Sequence, residues 1–181
     1  MRLRGTPILC LSLVGLLAAG GGRAQESAPT EYQLKAAFLY NFAKFVEWPP
    51  AALGEATAPM VIGILGENPI RGDLDRAIRD KTINNHPQVI KEPHSAAEWT
   101  NCHILFISTT EKKRLPEILA SLRGASVLTV SEMDGFTQTG GMINFISEGN
   151  KIRFQINEAA AKNAGLKISS KLLSLATRPG R

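Results

Sequence analysis

Three short apolar runs constrain this chain more than anything else in it: Met60-Val-Ile-Gly-Ile-Leu-Gly66, Cys102-His-Ile-Leu-Phe-Ile-Ser108 and Ser126-Val-Leu-Thr-Val130. Each is too short for a buried helix and is bounded by turn residues, which is the pattern of a strand covered on both faces. Val89-Ile90, after Pro87, marks a weaker strand of the same kind. Between the runs the pattern turns helical. Asn68 as N-cap and Pro69 at the first position open one helix, with Leu74, Ala77 and Ile78 inward. Thr110 caps a second, from Glu111 to Leu122, that Gly124 stops. The rhythm then changes. Met142 to Ile146 and Ile152 to Ile156 flank Ser147-Glu-Gly-Asn150, and Ile152, Phe154 and Ile156 alternate with Arg153 and Gln155, as in a hairpin with one buried face. Asn157 caps a short alanine-rich helix ending at Gly165, and Ser169 or Ser170 caps a last one. Strands alternating with helices, then a hairpin, predict a single α/β domain: a mainly parallel sheet of about six strands with an antiparallel C-terminal hairpin and helices on both faces.

The start of the chain has another logic. Arg2 and Arg4 precede an uncharged apolar run from Ile8 to Ala19, and small residues lead to Gly22-Arg23-Ala24. Such a run is too short to cross a hydrocarbon layer of about 30 Å, so residues 1–24 are expected to be a signal peptide cleaved after Ala24, or else a retained anchor. The expected location is periplasmic. Residues 25–29 form a polar lead-in, 30–177 the α/β domain and 178–181 a tail. Of the 21 basic side chains, three leave with the signal; against 16 acids the formal charge falls from +5 to +2, which removes any argument for nucleic acid. Cys10 leaves as well, so Cys102 stays alone and no internal disulfide forms. A lone cysteine there is a small buried side chain at a strand start, or else the half of an intermolecular bridge or a reactive thiol.

From Glu31 the chain reads as a helix ended by Trp48-Pro49-Pro50, with Leu34, Ala37, Phe38, Phe42 and Phe45 on one stripe and Leu39, Tyr40 and Val46 off it. Tyr32, Phe38, Tyr40, Phe42, Phe45 and Trp48 are six of the chain's eleven aromatic residues. A helix apolar over more than one face either lies between a sheet and another helix or offers its second face to a partner. Lys35 and Lys44 are too few to make the basic face of a membrane-lying helix.

The predicted sheet gathers Gly66-Glu67-Asn68, Ser108-Thr109-Thr110 and Ser131-Glu132-Met133-Asp134 on one rim, the carboxyl ends of its strands. Gly66, Glu67, Asn68, Thr109 and Asp134 are therefore candidate ligand-binding residues, for a small anionic or aromatic molecule. Gly63 to Gly66 lacks the spacing of a dinucleotide fingerprint or a phosphate loop, and tight turning explains it. His86, His94 and His103 match no short metal-ligand spacing, there is no Gly-x-Ser-x-Gly elbow, and Asp73 and Asp75 point to different sides of a helix. Catalytic residues, metal ligands and cofactors are accordingly assigned to none. Gly140-Gly141 permits a sharp turn or a close backbone approach, and Asn144, which interrupts an apolar strand, is expected to hydrogen-bond a nearby turn.

Leu128-Thr-Val-Ser-Glu-Met-Asp-Gly-Phe136, Gly140-Gly-Met-Ile-Asn-Phe145, Lys151-Ile-Arg-Phe-Gln-Ile-Asn157, Ala160, Gly165-Leu166 and Ser169-Ser-Lys-Leu-Leu173 together resemble the YfiR-like family of exported bacterial proteins. Tyr32 to Trp48, Gly63 to Gly66 and Cys102 to Ile107 are similar to its pattern too, so the resemblance spans the mature chain. It implies a periplasmic regulator without catalysis that restrains an inner-membrane signalling protein, a diguanylate cyclase or sensor kinase, through the target's periplasmic sensor region. A homodimer and cyclic-di-GMP output are expected alongside. Tyr40, Trp48, Phe136, Gly140 and Gly141 are the candidate partner-binding residues. The rival reading is a periplasmic small-molecule binding module that uses the rim.

Overall fold

The structure, a computed structural model, describes residues 28–67, 69–149 and 151–177. The expected signal over 1–24, residues 25–27 of the lead-in, Asn68, Asn150 of the hairpin turn and the tail 178–181 lie outside the described residues.

Helix α1 (Glu31–Phe45) opens at Thr30, whose hydroxyl accepts from the Gln33 N–H at 3.3 Å while the Gln33 side chain accepts from the Thr30 N–H at 2.9 Å. It runs into strand β1 (Val46–Glu47) and the one-turn helix α2 (Pro50–Leu53). Its buried residues are Lys35, Ala36, Leu39, Phe42 and Ala43. That corrects the expected stripe: Ala37 is exposed, Leu34 half-buried, and Leu39 fully enclosed. The rings misled because Phe38 and Phe45 flank the buried stripe, and because Lys35 turns inward to meet carboxylates.

Next come β2 (Met60–Leu65), α3 (Ile70–Ile78), β3 (Thr82–Ile83), β4 (His86–Lys91), α4 (Ala96–Thr100), β5 (Ile104–Ile107), α5 (Leu115–Ser121) and β6 (Leu128–Ser131). The hairpin β7 (Ile143–Glu148) and β8 (Lys151–Ile156), then α6 (Glu158–Asn163), β9 (Lys167–Ile168) and α7 (Ser170–Leu175), complete the chain. One sheet has seven strands in the order β3-β4-β2-β5-β6-β7-β8, parallel from β4 to β7 and antiparallel at both edges; β1 and β9 form a separate antiparallel pair. Edge strand β3 is an addition to the expected plan. It turns into β4 through Asn84 and Asn85, both at positive φ (51° and 69°), the requirement of a tight hairpin turn.

Two helix starts differ from expectation. Pro69 stands before α3 with no side-chain cap, one residue later than the sequence suggests. Ser108, not Thr110, caps the second: it accepts from the Thr110 N–H at 3.3 Å at the head of a 3-10 turn over Thr109–Arg114, and α5 begins only at Leu115. Pro116 has no N–H to donate, so an α-helix can tolerate it only in a first turn, which restarts the helix there. The later caps, Asn157 for α6 and Ser169 for α7, stand as expected.

Strand alternation sorts the core into two layers. Met60, Ile62, Ile64, Ile104, Phe106, Leu128, Val130, Ile143 and Phe145 pack under α1 and α3, where Phe38 and Phe42 meet Phe145 and Phe154 at centroid distances of 5.2–6.1 Å. Val61, Leu65, Leu105 and Ile107 pack with Trp99, Leu115 and Ile118 on the other side. Over β6 and β7 the second layer turns polar, with Thr129, Ser131 and Asn144 buried, and the segment 132–142 supplies Met133 and Phe136 instead of a helix.

Candidate functional site

Taken along the parallel strands alone, the chain places its second strand on one side of the first and its third on the other. Loops that leave β2 and β5 thus diverge from one point, where sheets of this kind open a ligand crevice. Here that point is filled. Gly66 has φ +83°, and a Cβ on it would lie 2.5 Å from Thr110 Oγ1 and 3.0 Å from Ser108 Cβ. Thr110 Oγ1 accepts from the Glu67 N–H at 3.2 Å, and Ser108 Oγ donates to the Glu67 carbonyl at 2.5 Å. Glycine is needed because only it tolerates both the backbone and the proximity. What remains is an open depression bordered by Gly66, Glu67, Glu92, His94, Thr110, Glu111 and Arg114.

A second depression of about 400 Å³ lies further along the rim, beside β7, and holds Thr109 and Asp134. The rim expected as one site is thus two: Gly66 and Glu67 border the first, Thr109 and Asp134 the second. Lys35 closes the floor of the second. Its side chain is 3% exposed and its ammonium donates to both Glu31 and Glu132. The Nζ also sits 5.0 Å from the centroid of the Tyr32 ring, and Ser147 Oγ donates to Glu31 at 2.9 Å. Burial by itself would lower the Lys35 pKa, but the hydrogen bonds to Glu132 and Glu31 outweigh it and raise it above the ordinary lysine value. The Lys35 and Ser147 bonds hold the Glu31 carboxyl below its ordinary value. Asn144 borders the same depression, 5% exposed, and its Oδ1 has no hydrogen-bond partner. That overturns the expectation that Asn144 bonds a nearby turn. Sequence reasoning missed Lys35 as a site residue; its i,i+4 spacing from Glu31 is visible in the chain, whereas its bond to Glu132 crosses 97 positions.

The five candidate contact residues fall in different environments. Tyr40 is half-buried on α1, its ring flanked by Lys44 Nζ at 5.4 Å and Lys81 Nζ at 4.8 Å. Trp48 is buried, edge-on to the His103 ring, and Phe136 is fully enclosed. A Cβ on Gly141 would stand 2.2 Å from the Phe136 ring, so this glycine serves a close internal approach. Gly140 is exposed and borders a groove of about 590 Å³ between α5 and α6. Of the five, Tyr40 and Gly140 are presented to solvent, while the rings of Trp48 and Phe136 are committed to the interior.

Two of the three histidines are bonded into the fold through their rings. His103 Nδ1 accepts from the Val61 N–H at 3.0 Å, so Nε2 carries the proton and donates to the Ala52 carbonyl at 3.0 Å. Burial pushes its pKa down, against the pull of the Ala52 bond. His86 Nδ1 lies 2.7 Å from the Ala58 carbonyl. Cys102 is free and buried, its thiol 3.4 Å from the Glu98 carbonyl and pushed up to about 11 by burial, which leaves it protonated and unreactive at neutral pH. Among the described residues no group of three His, Cys, Asp or Glu is placed to hold a metal ion, and no helix is long and apolar enough to cross a membrane.

A solved structure, a conserved domain protein from Vibrio cholerae O1 biovar eltor str. N16961, is similar in fold, with a TM-score of 0.55 and 11% identity. The match covers 82% of this chain and 60% of that one, so this chain spans about three fifths of its length. At the level of sequence, the family model described as YfiR/HmsC-like matches residues 32–177, from the first turn of α1 to the last described residue. The chain belongs to the YfiR/HmsC-like family.

Proposed function

We propose that this protein is a periplasmic, non-catalytic regulator that binds the periplasmic sensor region of an inner-membrane signalling protein, a diguanylate cyclase or a sensor kinase, and restrains its output. Family membership across the whole α/β domain carries this reading: it supports a periplasmic regulator of diguanylate cyclase signalling in general. The filled crevice at Gly66 supports it too, because the place where such a sheet captures a solute is occupied by Ser108 and Thr110. The mechanism is thermodynamic. A regulator lowers output only by binding one conformation of its target more tightly than the other, since equal affinity shifts nothing. Tyr40 is the contact residue of choice, as a half-buried ring between two lysines offers apolar area with a polar rim. A homodimer is part of the same proposal.

Crosslinking in intact cells followed by affinity capture of the mature chain tests the reading. Recovery of an inner-membrane cyclase or kinase is expected, with loss of about tenfold or more in Tyr40→Ala if the ring is a centre of the contact. Recovery of no membrane signalling protein, or recovery unchanged when the periplasmic region of the captured target is deleted, rejects it.

A further inference from the structure

We propose that residues 50–59 form a flap that acid releases at one end, because the histidine holding that end loses its bonds on gaining a proton. The flap comprises α2 and the turns that lead into β2, and it is exposed except at Ala52, Leu53 and Ala58, which are half-buried. Its own backbone bonds are local: the Ala52 N–H donates to the Pro49 carbonyl and the Ala58 N–H to the Glu55 carbonyl, each at 2.9 Å. Among the described residues, the hydrogen bonds that tie the flap to the sheet come from two rings. His103 Nε2 donates to the Ala52 carbonyl, and His86 Nδ1 donates to the Ala58 carbonyl. Two of the chain's three histidines thus hold the two ends of one short segment.

The two tethers respond to protons differently. His103 Nδ1 accepts from the Val61 N–H at 3.0 Å, so this ring works only in the neutral form with its proton on Nε2. The charged ring carries a proton on both nitrogens, which sets Nδ1–H against the Val61 N–H. Val61 is held in β2, and its carbonyl accepts from the His103 N–H at 2.9 Å, so the backbone does not yield. The ring swings away instead, and Nε2 leaves Ala52 with it. His86 faces only an acceptor. Its Nδ1 carries a proton in either charge state, the second proton goes to Nε2, and the bond to Ala58 survives. Acid thus frees the Ala52 end and leaves the Ala58 end as a pivot. Around His103, strands β2 and β6 and helix α2 carry no charged side chain, and Glu47 of β1 and Glu55 of the flap are exposed. His86 on β4 is the one titratable group that acts on its charge. Burial first, and His86 after it, hold His103 below its ordinary 6.5 against the pull of the Ala52 bond, so the flap is closed at neutral pH. Nothing here depends on the regulator reading, since both tethers lie within this chain.

An NMR titration of the full mature chain from about pH 8 to about pH 5 tests the flap, following alanine methyls, backbone amides and the histidine rings. The Ala52 methyl and the Val61 amide are expected to shift along one curve with the His103 ring, at a midpoint below 6.5, and protection of the Val61 amide should fall about tenfold or more. Order parameters of Ala52 and Leu53 should drop below about 0.6 in acid. The Ala58 methyl should not follow that curve, and Phe106 and Phe145 in the sheet should keep their protection. His103→Gln retains an acceptor and a donor but has no proton to gain, so Ala52 and Val61 should stay at their neutral positions throughout. His103→Phe removes both bonds and should show the open Ala52 signal already at neutral pH; if it fails to fold, His103→Gln and the native titration decide. Order parameters at Ala52 and Leu53 unchanged while the His103 ring titrates, an acid response undiminished in His103→Gln, equal release of Ala58, or loss of protection at Phe106 and Phe145 in the same step each overturns the proposal.

Discussion

The two depressions on this rim are closed by different physics. At Gly66 the closure is neutral packing: two hydroxyls and a backbone amide fit against a glycine that has no room for a methyl group. Beside β7 the closure is ionic, a buried ammonium shared between Glu31 and Glu132. Neutral packing is indifferent to salt and proton concentration and leaves nothing for a ligand to satisfy. An ionic closure responds to both.

The largest effect should come from breaking the ionic closure one-sidedly. Glu132→Gln leaves the Lys35 ammonium buried with one carboxylate that is itself half in solvent, and removing one partner of a buried pair costs on the order of 3 kcal/mol. Urea unfolding at neutral pH measures it. The double change Lys35→Met with Glu132→Leu should regain most of that loss, because an apolar pair of similar volume needs no charge compensation. If Glu132→Gln proves milder than the glycine change below, charge is not what holds this end of the molecule together.

Second in size is the neutral closure. Gly66→Ala forces a side chain into a left-handed backbone and against Thr110 and Glu111, at a cost of about 2 kcal/mol in thermal or urea unfolding. The companion Thr110→Ala removes the nearest clashing atom but not the backbone strain, so Gly66→Ala in that background should lose about half as much. Equal losses in both backgrounds would assign the penalty to φ and to the Glu111 and Ser108 contacts rather than to Thr110.

These contrasts follow what could be read from the sequence. The strands of the sheet centre were legible because burial on both faces leaves uninterrupted apolar runs, as in Met60 to Leu65 and Ile104 to Ile107. Strand β3 was not, since a two-residue edge strand has no periodicity; its available signal was the Asn84-Asn85 pair, residues that tolerate positive φ. The helix α1 was legible in extent but not in orientation. Its aromatic residues suggest a stripe through Ala37 and Phe38, whereas the buried side follows Lys35, Leu39 and Phe42, and a lysine earns an inward position only from a carboxylate that arrives much later in the chain. For the same reason the rim was foreseen as a place but not as two places with opposite character. Local pattern reports which loops share an end of a sheet; it does not report which of them interlock.

The smallest effect, and the sharpest discriminator, is the dependence of stability on pH. Glu31 has a folded pKa below its ordinary 4.5, so the unfolded chain binds the extra proton between the two values; the stability it contributes is present above 4.5 and is lost as pH falls through the folded value. Lys35 runs the other way. Its folded pKa lies above the ordinary 10.5, so its contribution is complete below 10.5 and is lost as pH rises through the folded value. His103, buried neutral with a folded pKa below 6.5, adds a decline as pH falls below 6.5 that belongs to neither depression. Cys102, pushed up to about 11, and Tyr32, raised by burial, add to the alkaline decline. Unfolding free energies measured from acid to alkaline pH should therefore show the acid, histidine and alkaline slopes in the native chain and in Gly66→Ala. In Lys35→Met with Glu132→Leu the alkaline slope should shrink to the part carried by Cys102 and Tyr32, both raised by burial, and the acid slope should shrink because Glu31 retains Ser147 but loses Lys35, while the histidine slope persists. An alkaline slope undiminished by the loss of Lys35 would place the titrating cation elsewhere and erase the distinction between a packed closure and a charged one.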